Sequence, residues 1–324
     1  MNTRITELLG IQYPIVEGGM QWVGRAELAA AVSNAGAFGM VTARTQPTPH
    51  DLVREIERTR QLTDKPFGVN LTLSLTAQDV NYDGWIDAII SSGVKVVETA
   101  GNKPHLVIDQ LKRHGIKIIH KCTSVRHALS AERAGVDVIS IDAFEAAGHP
   151  GEDDVPGMVL IPAARRRIRI PILASGGIAD GASMAAALAL GADGVNMGTR
   201  FMLTRECAIH DNVKQALIGA SELDTTLIKR TLKRTARFYS NATSREIVAL
   251  EQRPGGVTFD DIQHLLSGKR GRVAIESGDV DAGLVCASQV IGLIDDIPTC
   301  AELVARMVSD CRASLDTARN AFRD

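Results

Sequence analysis

Eight short apolar runs, each followed by a segment with helical periodicity, constrain the fold of this chain more than any other feature. The runs are rich in β-branched residues and have the length of strands, whereas the segments between them repeat apolar positions with a helical period. Strands that alternate with helices are expected to pair in parallel, with helices covering the sheet. The runs occupy residues 14–17, 38–41, 67–71, 94–98, 116–121, 137–142, 170–175 and 193–198.

The number of runs decides between two architectures. An open doubly wound sheet and a closed barrel share the same alternation, so periodicity alone does not exclude the open sheet. Eight units are what a (β/α)8 barrel requires, and the sequence therefore predicts an α/β fold of the TIM-barrel type. The clearest amphipathic helices are predicted at residues 25–34, 49–61, 124–134 and 181–190.

The alternation stops after Arg200. We interpret the next periodic segments as helices and find no further strand; they are residues 206–220, 224–236, 241–251 and 260–267. The chain is therefore predicted to have three parts. These are a barrel over residues 1–206, an additional small helical domain on the substrate side over residues 207–283, and C-terminal helices that pack back on the barrel over residues 284–324.

Charge and composition exclude several classes of partner. The 36 basic and 38 acidic side chains leave a net charge of −2, so nucleic acid is not expected to bind. The first ten residues lack the features of a secretory signal, and no segment approaches the roughly 20 apolar residues of a membrane span. We expect a cytoplasmic protein without a membrane partner, whose five cysteines are reduced thiols because they form no C-x-x-C pair.

Glycine-rich loops follow the last two predicted strands. Ser175, Gly176 and Gly177 end the seventh strand, and Gly198 and Thr199 end the eighth. Barrels commonly bind phosphate at these two positions through backbone N–H groups. Either loop alone is explained equally well by a tight turn, but the pair favours a phosphate site.

Two titratable side chains are candidates for chemistry at the same end of the barrel. Lys121 ends an apolar strand, where an unpaired ammonium is costly. The sequence therefore implies either an anionic ligand or an aqueous cavity beside it, or an ion pair with Glu98 or another acid at a strand end. His149 lies in a Gly-His-Pro-Gly turn. A neutral imidazole there has two interpretations: it is a base or hydrogen-bond donor in the reaction, or it is a structural residue. The acids at 152–154 suggest a catalytic or metal cluster, or more simply favourable charge at a helix N-terminus.

Two common kinds of site are not supported by the sequence. No H-E-x-x-H or zinc-type Cys/His spacing is present, so no metal is expected. No G-x-G-x-x-G follows the first strand, so a Rossmann dinucleotide site is not expected either.

Longer motifs at the strand ends resemble those of the nitronate monooxygenase (2-nitropropane dioxygenase) family. Within that family, the combination of GGMQ and GHPGEDD resembles the NADH:quinone reductase subgroup most closely. The motifs are GGMQWVG at 18–24, TDKPFGVNLT at 63–72, HKCT at 120–123, GHPGEDD at 148–154, SGG at 175–177 and NMGTRF at 196–201.

This resemblance implies an FMN-dependent NAD(P)H:quinone oxidoreductase, in which hydride passes from NADH to FMN N5 and then to a quinone. His149 and Lys121 are its candidate catalytic residues. The implied FMN contacts are Gly19, Met20 and Gln21 along the isoalloxazine, Asn70 and Lys121 at its polar edge, Gly148 lining the ring, and Ser175, Gly176, Gly177, Gly198 and Thr199 at the ribityl and phosphate. The expected partners are small molecules, namely NAD(P)H with a quinone or a nitronate, and a homodimer is left open.

Three other functions use the same features. A nitronate monooxygenase would oxidise alkyl nitronates with O2, with His149 as a base for the neutral nitroalkane. A flavin enoyl-ACP reductase is disfavoured by the GHPGEDD loop but not eliminated. A binding barrel would hold a phosphorylated ligand without redox chemistry. In each enzyme, Phe238 or Phe259 is expected to shape access to the pocket.

Overall fold

The computed structural model describes residues 1–73, 82–101 and 105–322, and its centre is a ring of eight parallel strands. The strands are β1 (Ile15–Glu17), β2 (Gly39–Thr42), β3 (Phe67–Leu73), β4 (Val96–Gly101), β5 (Lys117–Cys122), β6 (Val138–Asp142), β7 (Ile172–Ser175) and β8 (Gly194–Met197). They pair in the order β1-β8-β7-β6-β5-β4-β3-β2, and a parallel bridge between Val16 and Phe38 joins β1 to β2. All eight predicted strands and the TIM barrel are confirmed, and the open sheet is excluded.

Helices cover the outside of the barrel, and the four clearest predicted helices are confirmed to within two residues at each end. Thr48 caps α3 by accepting from Asp51 N at 3.1 Å, and Pro49 occupies the first helical position, where its missing N–H costs nothing. The helices are α1 (Arg4–Leu9), α2 (Ala26–Asn34), α3 (Pro49–Leu62), α4 (Asp83–Ser91), α5 (His105–Arg113), α6 (Val125–Arg133), α7 (Gly157–Arg165), α8 (Gly181–Ala189) and α9 (Thr199–Met202).

Alternate residues of each strand point into the barrel. These inward side chains differ in character between the two ends of the strands, which divides the interior into two halves. The lower half, at the amino ends of the strands, is apolar and is closed by Ile5 and Leu9 of α1; its other members are Val16, Phe38, Met40, Val96, Ile119, Val138 and Leu173. The upper half, at the carboxyl ends, is polar and consists of Asn70, Glu98, Lys121, Ser140, Asp142, Ser175 and Asn196.

The region after Arg200 differs from its prediction. Residues 224–236 were predicted to be helical and no strand was expected here, but the structure forms an antiparallel hairpin of β9 (Thr225–Ile228) and β10 (Ala236–Tyr239). The correction has a tertiary cause: Arg237 and Gly148 exchange backbone hydrogen bonds of 2.6 and 3.1 Å, which ties β10 to the barrel loop after β6. β-branched residues such as Thr225 and Ile228 also suit a strand better than a helix.

The remaining elements are helical, with altered bounds. They are α10 (Asp211–Ile218), α11 (Ala242–Glu251), α12 (Phe259–Ile262), α13 (Gly268–Ser277), a 3₁₀ turn (Gln289–Leu293) and α14 (Cys300–Asn320). The helix predicted at 241–251 is confirmed, the helices at 206–220 and 260–267 are shorter than predicted, and α13 was missed. The closing segment starts with non-helical chain at residue 284 instead of a helix.

Two packing features organise this part of the chain. Ile228, Ala236, Ile247, Ile262 and Leu265 form a small core separate from the barrel core. α14 lies against α8 so closely that a Cβ added at Gly181 would lie 2.4 Å from Cys311 N. The division of the chain at residues 207 and 283 stays a prediction. Within the described ranges, no helix has the length and apolarity needed to cross a membrane.

Candidate active site

The polar upper half of the barrel is organised around the carboxylate of Glu98, which is fully buried. One oxygen accepts from Gly19 N at 2.9 Å and from the Asn70 amide at 2.8 Å. The other oxygen accepts from the Asn196 amide at 2.8 Å. Hydrogen bonds of this kind, with a carboxylate as acceptor, are short and hold the groups that donate them in fixed positions. Glu98 therefore sets the positions of β1, β3 and β8 residues at the mouth of the barrel.

Lys121 supplies the positive charge of this half. Its ammonium lies 3.9 Å from Asp142, and its side chain is 20% exposed. Burial alone would lower the pKa of Lys121, but the carboxylates of Asp142 and Glu98 outweigh that cost and raise it. The expected ion pair is thus present, with Asp142 as the nearest acid and Glu98 as a further source of negative charge. Lys121 is a cation throughout the physiological range of pH.

The loop after β1 requires glycine at two neighbouring positions. A Cβ at Gly18 would lie 2.5 Å from Asn196 Oδ1 and 3.5 Å from Lys121 Nζ, and a Cβ at Gly19 would lie 2.1 Å from Asn70 Cγ. The backbone therefore passes directly over the polar groups of the upper half, as it must where a planar ligand is to approach them. Asn196 Oδ1 is buried and accepts no hydrogen bond from any described residue, so it is available to a donor from a ligand.

Met20 and Gln21 continue this loop across the mouth. Met20 N donates to Thr42 Oγ1 at 2.9 Å, which fixes the loop against β2. A Cβ on Gly198 would lie 3.4 Å from Met20 Sδ, so the loops after β1 and β8 are in contact. Gln21 is exposed. The structure thus brings the predicted residues of the first and eighth loops to one place.

The two predicted phosphate loops are neighbours because Ser175 of β7 pairs with Asn196 of β8. Gly176 and Gly177 have φ values of +85° and +76°, which residues other than glycine rarely adopt. Thr199 is buried, and its hydroxyl oxygen accepts from Ser288 N at 3.0 Å. The geometry brings the five predicted residues together, and their role in binding phosphate stays a prediction.

His149 lies beside a lysine that the sequence did not indicate. Its Nε2 is 3.4 Å from Lys229 Nζ, although the two residues are 80 positions apart. An ammonium can only donate, so Nε2 is the acceptor and the neutral ring carries its proton on Nδ1. The surrounding protein and the Lys229 charge lower the pKa of His149 to about 4, while Glu152 opposes them. His149 is therefore neutral at physiological pH.

Lys229 is held in an unusual backbone conformation. Its φ is +61°, which is uncommon for a residue with a side chain. Glu251 stabilises this turn by accepting from Lys229 N at 2.7 Å and from Thr231 N at 3.2 Å. Burial lowers the pKa of Lys229, and it outweighs the nearby groups that raise the pKa, of which Cys286 has the largest effect. No motif marked this lysine; the β-branched residues among 225–228 were the only signal of the strand that ends directly before it.

The acids at 152–154 anchor the hairpin. Glu152 accepts from Thr235 N at 2.7 Å and from the Thr235 hydroxyl. Asp154 forms an ion pair of 2.6 Å with Arg230. These contacts hold the turn that carries Lys229 against the loop that carries His149.

Three other residues lie apart from this cluster: a cysteine of the HKCT motif and the two phenylalanines expected to shape access. Cys122 is 3% exposed, and burial raises the pKa of its thiol, which matches a packed hydrophobic residue. Phe238 packs against the small core around Ile228. Phe259 is 40% exposed and lies under the Arg234 guanidinium at 5.9 Å. The effect of the two phenylalanines on access stays a prediction.

Comparison with known proteins gives this geometry a family. The nitronate monooxygenase family model matches residues 2–310. The (3aS,4S,5R,7aS)-5-hydroxy-7a-methyl-1-oxo-octahydro-1H-indene-4-carboxyl-CoA dehydrogenase of Rhodococcus jostii (strain RHA1) is 31% identical, covering 98% of this chain and 97% of that protein. A probable nitronate monooxygenase of Staphylococcus aureus (strain JH9) is also 31% identical, with coverages of 86% and 88%.

Among solved structures, FabK from Thermotoga maritima superposes with a TM-score of 0.92 at 35% identity, covering 99% of this chain and 100% of that one. The chain therefore belongs to the nitronate monooxygenase family and is an oxidoreductase. Membership also supports a flavin cofactor. The relatives' names state different reactions, so the family defines the class of chemistry and leaves the substrate to the site.

Proposed function

We propose that the protein is an FMN-dependent NAD(P)H:quinone oxidoreductase. The overall reaction converts NAD(P)H, a quinone and one proton into NAD(P)+ and a quinol, so a hydride and a proton are both delivered to the quinone. Bound FMN would supply the hydride chemistry by accepting hydride from the nicotinamide and passing it to the quinone. Protein residues must hold the flavin, stabilise negative charge and provide the proton.

The upper half of the barrel fits such a group. The glycine loop brings backbone close to Lys121, with no side chain between them. Asn196 Oδ1 is an acceptor without a partner among the described residues, and the loops after β7 and β8 suit a phosphate. Lys121 would stabilise negative charge on a reduced ring. Such an attraction amounts to about 4 kcal/mol at about 4 Å and an effective dielectric constant of about 20.

The observation that carries the choice of a quinone reductase is the contact between His149 and Lys229. A histidine with a pKa of about 4 that already accepts from an ammonium is a poor base for removing a proton from a neutral nitroalkane. The same pair is well suited to the opposite task. Lys229 can donate a proton through or beside His149 to the oxygen of a bound quinone, and the elements of residues 207–283 would wall that side of the pocket.

Nitronate oxidation is the second candidate, because the matching family model and the staphylococcal relative carry that name. A nitronate is already deprotonated and needs no base, so the weak basicity of His149 does not count against it. Reduction of an enoyl thioester is a third candidate, supported by the likeness to FabK. All three use the same pocket and differ in the molecule that reduces or reoxidises the flavin.

The test is to mix FMN-loaded protein with NADH, and separately with NADPH, without oxygen and to follow the flavin absorbance. We expect bleaching by a nicotinamide nucleotide and rapid recovery when a benzoquinone is added. Bleaching by an alkyl nitronate, with none by either nucleotide, would instead establish nitronate oxidation. Recovery with an enoyl thioester but not with benzoquinone would establish the third candidate.

A further inference from the structure

A cavity opens beside the loop after β1, next to the candidate flavin site. It has a volume of about 690 Å³ and lies between the loops after β1 and β2, the start of α4 and the start of α13. That volume is in the range of sites that hold a whole small molecule or a large part of one. Gln21 forms part of its wall, so the cavity is continuous with the loop expected to lie along the flavin.

The charged side chains that line this cavity are all positive. Arg44 and Lys269 line it, and none of the described residues in its wall is acidic. Within residues 1–73, 82–101 and 105–322, neither cation forms an ion pair or a side-chain hydrogen bond. Most other arginines near the mouth are paired, as Arg25 is with Glu276 and Arg230 with Asp154. Two unpaired cations facing one cavity favour an anionic ligand, and an arginine and a lysine together are typical of a phosphate group.

The other walls are aromatic and amide groups. The indole rings of Trp22 and Trp85 line the cavity, and Gln46 contributes an amide whose nitrogen is buried without a partner among the described residues. Trp22 has a φ of +70°, and its backbone N–H donates to Thr45 Oγ1 at 2.9 Å. Indole faces stack on heteroaromatic bases, and amides read their polar edges.

We propose that this cavity binds the phosphorylated adenosine end of the substrate whose reactive end reaches the flavin. Arg44 and Lys269 would bind its phosphates, and the indole and Gln46 side chains would contact its base. Nicotinamide dinucleotides and coenzyme A thioesters both carry a phosphorylated adenosine at the end opposite their reactive group. The inference rests on the proposed function for the reactive end of the molecule, but binding of the adenosine end can be measured without turnover.

The experiment uses three fragments that lack a reactive group: ADP-ribose, 2′-phospho-ADP-ribose and 3′-phospho-ADP. Each is titrated into the FMN-loaded protein, and Kd is measured by calorimetry and by quenching of tryptophan fluorescence. We expect saturable binding of at least one fragment, weakened about tenfold or more by Arg44→Met and by Lys269→Met. The preferred fragment identifies the source, since the first two come from NADH and NADPH and the third from coenzyme A.

Matched controls remove cations at the other end of the barrel. Arg113 and Lys65 lie just before β5 and β3, at the end of the barrel opposite the cavity. Arg113→Met and Lys65→Met should therefore leave fragment binding unchanged. Absence of saturable binding by all three fragments, or equal binding by wild type and both cavity variants, would overturn the inference. If flavin bleaching by NADH persists in that case, the proposed function stands without it. If fragments bind but no nucleotide bleaches the flavin, the proposed function fails and the cavity remains.

Discussion

The two halves of the barrel interior are formed by the same strands, but the lower half is apolar and the upper half is polar. In the lower half, Phe38, Met40 and Ile119 are fully buried and contain no group that needs a polar partner. In the upper half, Glu98 is equally buried, but each of its oxygens is used by donors from other strands. Apolar burial stabilises the fold in proportion to area, whereas buried polar groups contribute little net stability even when they are satisfied.

This contrast indicates that stability and chemistry are largely separated along the barrel axis. A change in the lower half should affect unfolding and leave the site intact. A change in the upper half should affect the site, with a smaller effect on unfolding. Two substitutions test whether the separation holds, and two further measurements test the His149–Lys229 pair, which lies outside both halves.

The largest effect is expected from Phe38→Ala in the lower half. Truncating this fully buried ring leaves a cavity, so the free energy of unfolding should fall by about 3–5 kcal/mol. Denaturant unfolding measures the loss, and flavin titration of the folded variant should give the wild-type affinity. Phe259→Ala, at a 40% exposed ring, is the matched control and should cost under about 1 kcal/mol. A flavin affinity that falls in step with stability would show that the halves are coupled.

The next largest effect is expected from Lys121→Met in the upper half. Removing a preorganised charge at the site should slow flavin reduction by NADH about 10²- to 10³-fold. Stopped-flow bleaching measures the rate, and dialysis against free FMN measures binding. Lys117→Met is the matched control, because Lys117 begins the same strand and its ammonium donates to Leu8 O at the bottom of the barrel. Equal rates in both lysine variants would remove Lys121 from the proposed role.

The barrel could be predicted from the sequence because its strands are buried on both faces and so form continuous apolar runs. The β9–β10 hairpin could not, since residues 225–239 mix threonine with lysine and arginine and contain no such run. What makes them strands is the backbone pairing of Arg237 with Gly148, a contact between distant parts of the chain. The pattern of apolar residues along a sequence indicates which segments are buried. It does not indicate an element whose conformation depends on pairing with a distant part of the chain.

The same limit applies to the site. Lys121 and the glycine loops were found because every strand end of a parallel barrel faces one mouth. Asp142, the acid nearest to Lys121, could not be identified as its partner from the sequence. Its position depends on the pairing of Lys121 with Ser140 across β5 and β6, which places Asp142 near the lysine. Lys229 was missed for a second reason, since it lies in the segment predicted to be helical.

A smaller effect is expected from Lys229→Met. If Lys229 supplies the proton for the quinone, flavin reduction by NADH should be unchanged, and reoxidation by benzoquinone should slow about tenfold, because water can partly replace the donor. The two half-reactions are measured separately by stopped flow. Lys233→Met is a close control, because Lys233 lies in the same turn and also has a positive φ of 52°. Slowing of both half-reactions by Lys229→Met would indicate a structural role instead.

The smallest effect is the shape of the pH profile. His149 has a pKa lowered from 6.5 to about 4, so it stays neutral from about pH 5 to about pH 8 and should add no ionisation there. Lys229 has a lowered pKa, so its proton is lost on the alkaline side at a pH below that of an ordinary lysine. The value of kcat/KM for the quinone should therefore be flat near neutrality and fall only as the pH rises. Lys229→Met should remove the alkaline fall, whereas an acid limb near pH 6.5 that disappears in His149→Gln would show that the histidine titrates as a free imidazole and would break its assignment to Lys229.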